Sequence, residues 1–134
     1  MSGRRLAFHI GYHKTASTWF QRVALPRHPE VRVHLPGAPG DDPFLRHIVL
    51  TPDHAFDAER ARHDIEQCLD DLSAPRGTVV VVSEERFSGH AATGGYDTFR
   101  IAGRLAQVAP DAKVFFVVRE QVAMIESEFL QLVQ

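Results

Sequence analysis

The sequence predicts an α/β domain: a parallel β-sheet flanked by helices, formed by residues 1–134 as one unit. Two observations predict it. The runs LAFHI, TVVVV and KVFFVV are continuous apolar stretches, the mark of strands buried on both faces rather than one. Segments with helical spacing lie between and after them, and that alternation is the signature of parallel strands joined by crossover helices.

Element by element, RLAFHIG reads as the first strand, ended by Gly11. STWFQRVAL has helical spacing: Ser17 or Thr18 suits the N-cap, and Trp19, Phe20 and Val23 share a face expected to be buried. Residues 27–56 are the least regular. VRVHL alternates like a short strand, PGAPGDDP is a turn-rich loop, and FLRHIVLTPDHAF reads as a helical turn or a lid. Long irregular segments inside domains are often functional. DAERARHDIEQCLDDL is a helix, with Asp57 as its cap and Ala61, Ile65, Leu69 and Leu72 as its apolar stripe. TVVVV is a strand, SEERFSGHAATGG a loop, YDTFRIAGRLAQVAP a helix stopped near Pro110, AKVFFVV a strand, and REQVAMIESEFLQLVQ a last helix. That helical pattern reaches Gln134 without a glycine or proline stop, which predicts a chain truncated at its C-terminal side.

Composition bounds the function. The chain is 44% apolar and 24% charged, with a formal net charge of -2. That balance argues against a nucleic-acid surface, so an anionic ligand needs a local basic site. Cys68 is the single cysteine, which excludes an internal disulfide and fits a reducing compartment. Leu6–Ile10 is too short for a secretory segment, and no run approaches the ~20 apolar residues of a membrane span. The expectation is a soluble, cytoplasmic protein. Among the eight histidines neither His9/His13 nor His28/His34 sits at helical ligand spacing on a helix, and the sequence shows no Cys/His cluster, so no metal site is predicted.

In parallel sheets ligands sit beyond the carboxyl ends of the strands. After the first strand come Gly11, His13, Lys14, Thr15, Ser17 and Thr18 at a helix entry. Glycine lets the backbone turn and approach a ligand, successive N–H groups form an anion nest, and lysine adds a full charge. A Walker A loop would place glycine directly before its lysine; here Tyr12 and His13 separate Gly11 from Lys14, and the Ser17-Thr18 pair comes after Thr15 and Ala16. After the second long strand come Ser83, Glu84, Glu85 and Arg86, where a carboxylate can act as a base. After the third comes Arg119, a bidentate phosphate ligand by type, with Ser127 in the following helix.

These residues resemble the PAPS-dependent sulfotransferases, over residues 6–134 in order and with weak detail between 27 and 76. GYHKTASTW is similar to that family's 5′-phosphosulfate-binding loop. VVREQVAMIES is similar to its 3′-phosphate element, and VVSEERF to its carboxylate-bearing strand end. Ala16 stands where many members have glycine, and Glu120-Gln121 where Asn/Asp-Pro is frequent. The family's C-terminal basic loop has no counterpart here. The resemblance implies a P-loop NTPase-like sulfotransferase fold and sulfuryl transfer from 3′-phosphoadenylyl sulfate (PAPS) to an acceptor hydroxyl or amine. The acceptor would be a carbohydrate, lipid or small molecule, and no catalytic metal would be used. It implies Gly11, His13, Lys14, Thr15, Ala16, Ser17, Thr18 and Trp19 as the 5′ loop, with Lys14 stabilising the leaving oxygen and Trp19 near the adenine or in the core. Arg119 and Ser127 would grip the 3′-phosphate. Glu84 is the first choice as base, Glu85 its competitor, and His9 and His13 weaker candidates. Two rivals stand beside this reading. A P-loop kinase-like phosphotransferase would call for Mg²⁺ and a strand-end aspartate that VVVVS and FFVVR lack. A non-catalytic nucleotide-binding module is the other.

Overall fold

The computed structural model describes residues 5–11, 17–90, 93–118 and 120–133. Four strands form one parallel sheet in the order β2-β3-β1-β4. They are β1 (Arg5–Ile10), β2 (Val31–His34), β3 (Val79–Glu84) and β4 (Lys113–Phe116). The predicted α/β class and parallel sheet are therefore observed, with VRVH as the fourth strand. β1 lies between β3 and β4, with Ile10 opposite Glu84 on one side and Phe116 on the other.

After β1 the chain makes a single α turn, α1 (Ser17–Trp19), then a wider π-type turn (Phe20–Ala24) and a 3-10 turn (Leu25–Arg27). Pro26, which has no N–H to donate, sits in that last turn. The face expected to bury Trp19 is shifted: Trp19 is 59% exposed, and Phe20 packs instead against His9 and Phe115, ring centroids 5.0 and 6.1 Å away.

In the 27–56 region the expected short strand and the helical turn are both observed, and the turn is buried more deeply than its sequence implies. α2 (Pro43–Leu45) continues into a π-type turn (Arg46–Leu50), and Phe44, Leu45, Ile48 and Val49 are all buried. Far from a lid, it is the centre of the core, where Phe44 stacks beside Phe8 and meets Phe87 edge-on. Asp42 caps this turn, accepting from the Leu45 N–H at 2.7 Å. Arg104, itself buried, donates to the carbonyls of His47 and Ile48 and pairs with Asp53, so carbonyls at the end of the segment are satisfied by its side chain.

α3 (Ala58–Asp71) is capped by Asp57 as predicted and buries Ala61, Ile65 and Leu69; Leu72 is partly buried. α4 (Thr98–Val108) buries Ile101, Leu105 and Val108. Both helices pack on the sheet face formed by Leu6, Phe8, Val80 and Val82. β4, predicted to be buried on both faces, is an edge strand among the described residues: Val114 and Phe116 are 54% and 57% exposed, because it pairs with β1 alone. α5 (Gln121–Leu132) is capped by Glu120, which accepts from the N–H groups of Val122 and Ala123. No helix among the described residues is long and apolar enough to cross a membrane.

Candidate functional site

Strand order decides where a ligand can enter. From β1 the chain crosses past β3 to reach β2; from β3 it crosses past β1 to reach β4. Phe20, just after β1, packs on the His9 face, whereas α4, after β3, packs on the Phe8 face. The two connections leave adjacent strands toward opposite faces, the topology that in open parallel sheets places a ligand crevice at the carboxyl ends of such strands, here β1 and β3.

Four predicted residues meet there. Gly11 donates its N–H to the Glu84 carbonyl at 3.4 Å. A Cβ at Gly11 would sit 2.7 Å from Glu85 Cγ and 3.3 Å from its Cα, so glycine is needed to let the second loop close in. Ser17 is buried and its hydroxyl donates to the Glu85 carboxylate, tying the loop after β1 to the loop after β3. Glu84 ends β3 in extended conformation and turns back to accept from the Arg86 N–H at 3.0 Å. The two adjacent acids are thereby separated in role: Glu85 faces Gly11 and Ser17, and Glu84 caps its own turn. Burial holds the Glu84 carboxyl above its ordinary range; the Arg86 N–H opposes this and the Glu85 charge adds to it. Thr18 and Trp19 are exposed at the same end. His13, Lys14, Thr15, Ala16 and Arg119 lie outside the described residues, as does the side chain of Ser127.

The loop after β3 is more ordered than its sequence implies. A 3-10 turn (Glu85–Ser88) leads to Gly89, whose φ of 96° and contact with Thr98 and Gly95 leave no room for a side chain. Asp97, 3% exposed, pairs with Arg86 at 2.9 Å and accepts from the His90 N–H at 2.8 Å. Burial alone would raise the Asp97 carboxyl; the Arg86 bond and the His90 N–H outweigh it and hold it low. The sequence signal for this knot was Gly89, Gly94 and Gly95, all three at positive φ.

Behind the crevice lies a buried polar group. His9 is fully buried between Phe20 and Phe115, and its Nδ1 is 2.6 Å from Ser83 Oγ, which also accepts from Gln21 Nε2 at 3.0 Å. Its Nε2 has no partner among the described residues. Desolvation lowers the His9 pKa, against a smaller pull from Glu85. Sealed in this way, His9 cannot meet a substrate and is no candidate base; it ties α1's extension to the sheet through Ser83 and Gln21.

Sequence spacing also missed a second cluster. The fold gathers His34 at the end of β2, Asp42 at the α2 cap and Cys68 on α3, with one candidate ligand atom of each within 4.8 Å of the others. These positions come from three elements, so no motif links them.

Comparison of the chain with protein-family models, with characterised proteins and with solved structures found no match to any of them.

Proposed function

We propose that the chain is the donor-binding part of a PAPS-dependent sulfotransferase, carrying a sulfuryl group to an acceptor hydroxyl of a carbohydrate, lipid or small molecule. The observation that carries this reading is the meeting of Gly11 and Ser17 with Glu84 and Glu85 across the crevice between β1 and β3. The sequence GYHKTASTW begins at Gly11 and includes Ser17, the two residues that meet Glu84 and Glu85, and Arg119 comes three residues after β4 in the chain. The reading uses all three strand ends for one doubly phosphorylated nucleotide.

In this mechanism Thr15, Ser17, Thr18 and neighbouring backbone N–H groups hold the 5′-phosphate, with Gly11, His13, Ala16 and Trp19 shaping the loop. Arg119 and Ser127 hold the 3′-phosphate. The acceptor oxygen attacks sulfur, and the bond from sulfur to the phosphate-bridging oxygen breaks. Lys14 neutralises the charge developing on that oxygen, and 3′,5′-adenosine bisphosphate (PAP) departs. Glu84 takes the acceptor's proton. Its raised pKa suits a base, and its bond to Arg86 fixes its orientation. Glu85 holds the Ser17 hydroxyl until the donor's phosphate takes that proton's hydrogen bond in its place.

Release of PAP from PAPS, followed with and without pooled hydroxyl acceptors, tests the reading. Lys14→Ala should lower turnover by about 10²–10³-fold while changing PAP affinity only a few-fold. Equal losses in turnover and affinity would remove Lys14 from the transition state, and an absence of PAP release by the unmodified chain would refute the activity.

A further inference from the structure

We propose that His34, Asp42 and Cys68 form a binding site for a borderline-soft divalent cation of the zinc class, separate from the nucleotide crevice. The three residues offer one nitrogen, one oxygen and one sulfur within 4.8 Å of one another. Around a tetrahedral zinc ion such atoms lie about 3.3–3.6 Å apart, so small side-chain rotations close the site. The donor set discriminates among metals: thiolate and imidazole favour zinc, cobalt or copper over magnesium and calcium.

The ligands are held by the fold rather than by mobile loops. His34 closes β2, which pairs with β3 along its length. Asp42 is 7% exposed, and one carboxylate oxygen is fixed by the Leu45 N–H while the other lies 2.9 Å from His34 Nε2. An outer hydrogen bond of this kind orients a metal-ligating carboxylate. Cys68 sits on α3, half-buried. In the metal-free state its thiol is pushed up to about 11, by burial first and then by the charges of Asp42, Asp71 and Asp64. The same carboxylates attract a cation, and a dication removes the obstacle to ionisation. Binding releases the Cys68 proton to solvent and requires the His34 proton to reside on Nδ1, freeing Nε2. The loaded centre (one thiolate, one carboxylate, one neutral imidazole and a dication) is uncharged, which suits its burial. With three protein ligands a fourth position remains for water. The ion would staple β2, the 35–42 loop and α3 together.

Titration of the full chain with Co²⁺, read by absorbance, tests the site. Cys68 is the single cysteine, so a thiolate-to-cobalt charge-transfer band in the near ultraviolet can arise from no other residue. The band should appear at one equivalent, together with visible bands of tetrahedral intensity, and Zn²⁺ should displace it. His34→Gln and Asp42→Asn should each weaken the binding by at least about 100-fold; even outer-sphere partners of metal ligands cost about 10–100-fold. Asparagine keeps an oxygen to cap the Leu45 N–H, so the second variant folds, as circular dichroism would verify. Absence of the band in the unmodified chain overturns the proposal. So does a band that survives His34→Gln unchanged, or cobalt binding of equal strength in Cys68→Ser, which would place the ion on other histidines.

Discussion

On one face of the two central strands, Leu6, Phe8, Val80 and Val82 are all apolar and under a tenth exposed. One residue along the same two strands, His9 and Ser83 are just as deeply buried but polar, bonded to each other, with Ser83 also accepting from Gln21. The first face carries α2, α3 and α4; the second carries the short, irregular turns after α1. Because side chains alternate with a period of two, one pair of strands serves both purposes. The apolar face supplies stability. The polar face fastens the segment that follows the candidate phosphate loop, through Gln21 and Phe20.

The largest expected effect falls on the apolar face. Phe44 is completely buried against Phe8 and Phe87, and Phe44→Ala should cost about 3–5 kcal/mol in urea denaturation. The remaining folded protein should bind nucleotide with unaltered affinity. On the polar face, Ser83→Ala removes the common partner of His9 and Gln21 and should cost about 1–3 kcal/mol. Replacing both polar partners, as His9→Leu with Ser83→Ala, should cost less than Ser83→Ala alone, and a double variant worse than the single would show that the imidazole itself is required.

The same face should show itself in pH dependence. Burial lowers the His9 pKa, so below about 6.5 the unfolded chain takes up a proton that the folded one refuses. Stability then falls as pH drops from about 6.5 toward the lower folded value. His9→Leu should flatten that slope in pH-dependent melts, and parallel slopes in the two proteins would mean that His9 titrates normally. The smallest effect belongs to the crevice. Glu85 accepts the Ser17 hydroxyl that a phosphate would need, so Glu85→Gln should tighten PAP binding by up to about tenfold, measured by calorimetry. Weaker binding in that variant would instead make Glu85 a necessary support of the loop.

Much of this division was legible before the fold was known. The unbroken valines of β3 and the Ala61, Ile65, Leu69 stripe of α3 specify their elements locally, and the strand-end rule brought Gly11, Ser17, Glu84 and Glu85 to one place. FLRHIVLTPDHAF reads as a helical turn or a lid, and the helical turn is observed over 43–50; its burial at the centre of the core was not legible, because a two-turn element ahead of Pro52 is too short for periodicity to stand out. β4 misled for another reason: a continuous apolar run does not reveal whether a strand has one neighbour or two. Trp19 lies outside the core because the wider turn that follows it sets Phe20, not Trp19, against His9. That Glu85 turns toward Gly11 and Ser17 while Glu84 caps its own turn is a matter of tertiary placement that two adjacent identical residues cannot disclose. His34, Asp42 and Cys68 meet only through the packing of β2, α2 and α3.

The central claim is that the carboxyl ends of β1, β3 and β4 hold a nucleotide bearing phosphates at both 3′ and 5′ positions. Calorimetric titration with PAP, 5′-AMP and ATP–Mg²⁺ tests it most directly. PAP should bind at least about tenfold more tightly than 5′-AMP, with that margin lost in Arg119→Ala, in keeping with a charged contact of about 1.5–3 kcal/mol. Equal affinity for PAP and 5′-AMP, or tighter binding of ATP that depends on Mg²⁺, would contradict it.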